Sequence, residues 1–188
     1  MNKPITLTDI AGYCTEDAIW KMVVDLAQSI KDNDHCPLSP DEIIIDDKSF
    51  LTGEKSDKKL HMLAPEYSNG KPYGPSQQVW TLGALIYYAS SGRTLFGGHG
   101  GAYQKEHPNV LLPSLRKSHG ALTDLMQRCL KHDPSSRIGI DELIDEASKG
   151  LENCHKTRRC RCQAAEDSLP SSERQKKESW PEEMKETI

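Results

Sequence analysis

The stretch PSQQVWTLGALIYYASSG, residues 75 to 92, is apolar on nearly every side of a helix, with Val79, Trp80, Leu82, Leu85, Ile86 and Tyr87 spread around its circumference. A helix with no polar face has to be surrounded by other elements, so it predicts the centre of a core and not a surface position. Pro75 suits its first turn and Gly92 its end. Amphipathic partners are at hand. TEDAIWKMVVDLAQSI offers Thr15 as N-cap, Glu16 and Asp17 in the first turn, and an apolar stripe of Ile19, Val23, Leu26, Ala27 and Ile30. ALTDLMQRCLKH carries Leu122, Leu125, Met126, Cys129 and Leu130 and stops at Asp133-Pro134, and IDELIDEASKG predicts a last helix ending at Gly150. Only EIIIDDKSFLTG reads as a short hairpin. The glycine-rich GGHGG, residues 97 to 101, reads as a flexible connector, because it lacks the strand-then-helix setting of a phosphate-cradling loop.

The expected fold is therefore mainly α. After residue 150 the chain is polar, charged and almost free of large aliphatics, which leaves little to bury against the entropy of ordering it. We expect one domain over 1–150 and a flexible tail over 151–188. No apolar run reaches transmembrane length, and the N-terminal residues lack a basic-then-apolar signal segment, so a cytoplasmic protein is expected. The six cysteines form no even framework and are expected as reduced thiols. A net charge of −4, from 24 basic and 28 acidic residues, exerts no global pull toward nucleic acid or membranes, and neither is expected as a partner. Cys154, His155, Cys160 and Cys162 have poor zinc spacing, and no metal is expected there. The basic run 156–161 reads as solvated charge.

Three segments, in order, resemble the C-terminal lobe of a eukaryotic-type protein kinase. LAPEYSNGKPYGPSQQVWTLGALIYYASSGRTLF resembles the stretch from the Ala-Pro-Glu motif through the Asp-x-Trp-Ser-x-Gly helix to the turn beyond it. LTDLMQRCLKHDPSSRIGIDELI resembles the closing Leu-x-x-Asp-Pro-x-x-Arg stretch, and HCPLSPDEIII resembles the His-Arg-Asp-Leu-Lys-Pro-Glu-Asn catalytic loop. The resemblance implies a kinase C-lobe-like helical domain with a short β-hairpin and no N-lobe, since no Gly-rich loop or Val-Ala-x-Lys-like strand precedes Thr15. PITLTDIAGYCTEDAIW also resembles the start of a KIND domain, a kinase C-lobe used as a docking module.

The same alignment implies degenerate catalytic positions. Pro37 stands at the base, Ser39 at the phosphate-steadying lysine, Glu42 at the metal-binding asparagine and Gly53, followed by Glu54, at the Asp-Phe-Gly aspartate. His35 keeps a supporting position, and Gln78 replaces the aspartate that anchors the loop. The expectation is a non-catalytic pseudokinase lobe, not an enzyme, with no ATP or other cofactor, that binds or regulates another protein. The alternative is half of a split or atypical kinase completed by a separate N-lobe. Glu66 and Arg137 match a structural ion pair of the family. Tyr67, Tyr73, Tyr103 and the lone tail aromatic Trp180 are expected as interaction residues.

Overall fold

The computed structural model describes residues 4–33, 39–46, 49–52, 62–68, 73–116 and 119–167. Of the residues singled out above, His35, Pro37, Gly53, Glu54 and Trp180 lie outside that set. The chain divides into two compact units, Met1–Leu151 and Glu152–Ile188.

The first unit is mainly helical. A short helix α1 (Leu7–Ile10) leads into α2 (Glu16–Asn33), followed by the strands β1 (Ile43–Asp46) and β2 (Ser49–Thr52) and the helices α3 (Pro75–Ser91), α4 (Gly100–Glu106) and α5 (Gly120–Cys129). The last helix, α6 (Ile140–Asp167), starts in this unit. The strands pair antiparallel, with Ile44 opposite Leu51 and Ile45 opposite Phe50. Thr6 bridges to Ile44, and the Ile45 N–H donates to the Ile5 carbonyl at 2.9 Å, so the N-terminal segment lies along the free edge of β1 and satisfies part of it.

Helix α3 occupies the centre, as its composition requires. Val79, Trp80, Leu82, Leu85 and Ile86 are all buried, and it packs against both α2 and α5. The α2 stripe of Ile19, Val23, Leu26, Ala27 and Ile30 is buried too. Each of these two helices ends or begins on a defined signal. The Thr15 carbonyl accepts the first α2 bond from Ile19 N–H at 3.0 Å, and Gly92, at φ 67°, closes α3 by donating its N–H to Tyr88. Gly83 lets α5 come close, since a Cβ there would lie 2.8 Å from Cys129 Cβ. Burial pushes the Cys129 thiol up to about 12, so it is a core residue without thiolate character near neutrality.

Two expectations about glycines are overturned. GGHGG is not a connector throughout: Gly100 and Gly101 open helix α4 and are buried, because α4 rests directly on the backbone of residues 63–65. A Cβ at Gly101 would lie 2.2 Å from the Leu63 carbonyl oxygen. Likewise Gly150 does not end the last helix, which runs on to Asp167. Its missing side chain makes room for the Trp20 ring, whose nearest atoms would be 2.6 Å from a Cβ. In the second unit the helix carries a Lys156–Glu152 pair at 3.7 Å and a bond from the Thr157 hydroxyl to the Asn153 carbonyl at 2.9 Å. No described helix is long and apolar enough to cross a membrane.

Close approach and open space should separate two glycine substitutions. Gly101→Ala drives a methyl into backbone that cannot rotate away and is expected to cost about 3 kcal/mol. Gly120→Ala, at the start of α5 with nothing within 4 Å, should gain about 0.5 kcal/mol by restricting the unfolded chain. Urea unfolding midpoints of the two variants test the contrast, and equal shifts would refute the assigned contacts.

Candidate functional site

The segment Met62–Ser68 crosses the front of α3, and three sets of bonds hold it. The first is centred on Arg137. Asp133 begins the turn Pro134–Ser136, accepting from Ser135 N–H at 3.0 Å and from the Ser135 and Ser136 hydroxyls at 2.7 and 2.8 Å. Those donors hold the Asp133 carboxyl below its usual range and fix the turn that aims Arg137 inward. Arg137 then donates twice to Glu66, Nη1 to Oε1 at 2.5 Å and Nη2 to Oε2 at 2.8 Å. Its remaining N–H groups go to carbonyls: Nε to Lys131 at 2.8 Å, Nη1 to Ser76 at 3.0 Å and Nη2 to His132 at 3.1 Å. A guanidinium has five N–H donors in a fixed fork, and every one is used. The side chain of Arg137 is only 1 % exposed against 29 % for Glu66, so the positive charge depends on this set of acceptors.

The second set is a run of hydroxyls. Thr81, fully buried on α3, donates to the Met62 carbonyl at 2.9 Å. Its oxygen lies 2.7 Å from the Tyr73 hydroxyl, which in turn accepts the Ala64 N–H at 3.0 Å. With Thr81 donating to Met62, the proton between the hydroxyls belongs to Tyr73, which gives one consistent direction from Tyr73 through Thr81 to Met62. Tyr73 was expected as a surface aromatic, but its hydroxyl faces inward because two backbone groups of the crossing segment need partners. Tyr67 stands beside it, with ring centroids 5.9 Å apart.

The third set fixes α4 beneath the segment. Trp80 Nε1 donates to Gln104 Oε1 at 2.8 Å, and Gln104 Nε2 donates to the Leu130 carbonyl at 2.8 Å. Both side chains are buried. Tyr103, from the outer side of α4, is 36 % exposed, stacks on Phe96 at 5.5 Å and meets His107 in a tilted contact at 4.4 Å. The sequence reading did not single out Thr81 or Gln104. A polar residue within an apolar helix was the available signal for Thr81; Gln104 on its short helix had none.

Of the catalytic-loop positions, Ser39 and Glu42 are described. Ser39 is fully buried and serves as the cap of the turn Pro40–Glu42, its hydroxyl oxygen accepting Asp41 N–H at 3.4 Å. The Thr8 hydroxyl donates to Asp41 at 2.6 Å, which ties this turn to α1. Glu42 is buried at the start of β1, 3 % exposed. A magnesium ion takes about six oxygen ligands in octahedral geometry, several of them from water and phosphate. Glu42 is the one described carboxylate at a position that the resemblance gives to a metal ligand, and one carboxylate does not make a site. Gln78 is buried on α3, its amide donating to the Tyr73 carbonyl at 3.3 Å.

A mainly helical fold with a short hairpin, its Ala-Pro-Glu segment clamped on a central helix by a late arginine, is that of a kinase C-lobe-like fragment. The protein kinase domain profile matches residues 54–147, half of the 188, and the chain belongs to that family. It is 37 % identical over 114 residues to the mitosis inducer protein kinase cdr1 of Schizosaccharomyces pombe, covering 55 % of this chain and 19 % of that protein. The SNF1-related protein kinase catalytic subunit alpha KIN12 of Arabidopsis thaliana is 34 % identical over 82 residues, 43 % of this chain and 16 % of its own length. An Aurora kinase of Patiria pectinifera is 26 % identical over 158 residues, 73 % of this chain and 39 % of its own. The chain thus spans a minor part of each relative.

These matches overturn the expectation that the chain is no enzyme: they place it among protein kinases, over part of the kinase domain. The degenerate positions Pro37, Ser39, Glu42 and Gly53 all precede the matched residues 54–147. The fold-bearing half carries the family signal independently of that loop.

Removing one side of the buried pair should be severe. Arg137→Ala is expected to lower stability by about 4 kcal/mol, because Glu66 and three carbonyls lose their donor. Glu66→Gln keeps an acceptor and should lose only about 2 kcal/mol. Chemical denaturation of both variants tests the order, and equal losses would contradict the assigned geometry.

Proposed function

We infer that the chain is the polypeptide-binding half of a serine/threonine-type protein kinase: a C-lobe that holds and presents the Ala-Pro-Glu segment and is completed for phosphoryl transfer by an ATP-binding lobe. That lobe would be carried by a further stretch of polypeptide or by a separate chain. Arg137 is the observation that carries this reading, since it puts two hydrogen bonds on Glu66 and three on carbonyls of α3 and the residues after α5, which fixes the segment Met62–Ser68 against them. Phosphoryl transfer relies on positioning, and a segment held in this way suits the positioning of a protein substrate or regulator. The docking role is also the one that the KIND-like resemblance of the N-terminal residues suggests.

The outer face of the hairpin supports a second lobe. Leu51, 48 % exposed and opposite Ile44, offers an aliphatic contact on this face. A reducing setting such as the cytoplasm accords with Cys14 and Cys129, which are thiols among the described residues.

The test mixes the chain with a recombinant ATP-binding lobe from one of the kinase relatives and follows both association and transfer of labelled phosphate to a protein substrate. Association should fall at least tenfold in Leu51→Asp, with phosphate transfer seen only in the mixture. Unaided transfer by the chain, or association indifferent to Leu51→Asp, would overturn the reading.

A further inference from the structure

At the far end of α3 from the Arg137 clamp, two cavities of about 660 and 390 Å³ adjoin, sharing Tyr87 and Arg93 in their walls. From Ser76 to Ser91 the helix rises roughly 22 Å, so this groove is well removed from the segment Met62–Ser68. One wall is the end of α3 and the loop after it; the other is the irregular strap 111–116, which contributes Leu111 to the larger cavity and Arg116 to the smaller.

Both walls are pinned. Gly92 turns the chain at φ 67°, and the Ser91 hydroxyl oxygen accepts Arg93 N–H at 3.1 Å, which fixes the backbone that carries Arg93. The strap is tied to α5 twice: Thr123 accepts Leu115 N–H at 3.2 Å, and Gln127 donates to the Pro113 carbonyl at 3.1 Å. On this anchored backbone Leu111 is 90 % exposed. Leu111 thus presents an apolar side chain to solvent in the wall of the larger cavity.

The charge is one-sided. Arg93 and Arg116 are both exposed, neither has an ion-pair partner among the described residues, and no Asp or Glu lines either cavity. The carbonyl end of α3 supplies only about half a negative charge, against two full positive ones. We propose that this groove binds an acidic, extended peptide segment of a partner protein, with carboxylates on Arg93 and Arg116 and a large apolar side chain against Leu111. Two arginines are too few for nucleic acid, whose binding draws on many phosphate contacts, or for an anionic membrane, which takes clusters of about four to eight basic residues. They are enough to orient a peptide, because a guanidinium accepts a carboxylate through two parallel bonds. This contact is separate from the hairpin face and from the Ala-Pro-Glu segment, and it does not depend on whether an ATP-binding lobe is present.

A displayed library of random twelve-residue peptides, selected on the folded chain, provides the probe. Selected peptides should be rich in Asp and Glu around one Leu, Met, Phe or Trp, and their affinity, read by fluorescence anisotropy, should weaken as salt rises. Binding of the best peptide should fall at least tenfold in Arg93→Glu/Arg116→Glu, about threefold or more in Leu111→Ala, and remain unchanged in Leu51→Asp. Arg93→Gln/Arg116→Gln provides a milder pair, and thermal melting of each variant shows that it is folded. The proposal is overturned by selection of neutral or basic peptides, by selection of none, by affinity that ignores both arginine pairs, or by binding only to vesicles containing phosphatidylserine.

Discussion

A guanidinium almost sealed from water cannot stay charged without acceptors on every side, and Arg137 finds them on three separate stretches of chain. Its partners are Glu66, Ser76, Lys131 and His132, which come from the crossing segment, the first turns of α3 and the residues after α5. Burial makes the arrangement close to all-or-none, since losing one acceptor leaves a buried donor unsatisfied at about 1–3 kcal/mol. The Asp133 turn sets the direction of Arg137, and the hydroxyls of Tyr73 and Thr81 hold the backbone upstream of Glu66. The Ala-Pro-Glu segment is therefore positioned from both sides, by charge at Glu66 and by neutral hydroxyls at Ala64 and Met62. The two sets draw on α3 at Ser76 and Thr81, little more than a turn apart. Any movement of the start of α3 would reach the segment through both.

Much of the fold could be read in the sequence, because burial leaves a pattern. Helix α3 lacks a polar face and lies at the centre; the α2 stripe faces inward; the hairpin forms where two short apolar runs meet. The two glycine readings failed for a common reason. A glycine signals a turn when judged by its own backbone, but Gly101 and Gly150 are helical, and their small size matters only because Leu63 and Trp20 stand opposite. Sequence spacing has no means of showing a contact between residues 38 apart, or 130 apart. The hydroxyl relay was hidden similarly, since Tyr73 as a sequence feature is an aromatic in a polar loop and suggests a surface.

Side chains missing from one loop, and a Gly-rich loop missing ahead of Thr15, do not remove a chain from the kinase family. The kinase relationship runs through residues 54–147, which contain the clamp, α3, α4 and α5, and identity there is a statement about packing and segment presentation. A lobe can preserve those while its own loop departs from the usual side chains. Glu42, which the sequence resemblance sets at a metal-ligand position, is in the structure a buried carboxylate where the turn Pro40–Glu42 enters β1.

The arginines of the first unit divide into those that build the fold and those that face outward. Arg137 is saturated internally, and Arg128 pairs with Glu142 and with Glu146, at 3.1 Å for the latter, joining α5 to α6. Arg93 and Arg116 have no such carboxylate among the described residues, although acidic residues are plentiful in a chain of net charge −4. An exposed ion pair is worth little to stability, typically under about 1 kcal/mol, so leaving these two unpaired loses almost nothing in folding. What it gains is electrostatic contrast: in a protein with an overall negative charge, a groove with two unmatched cations and no anion differs in sign from its surroundings. Such contrast steers an acidic segment to one place on the surface. The exposed Leu111 beside it supplies the apolar contact that charge alone does not provide.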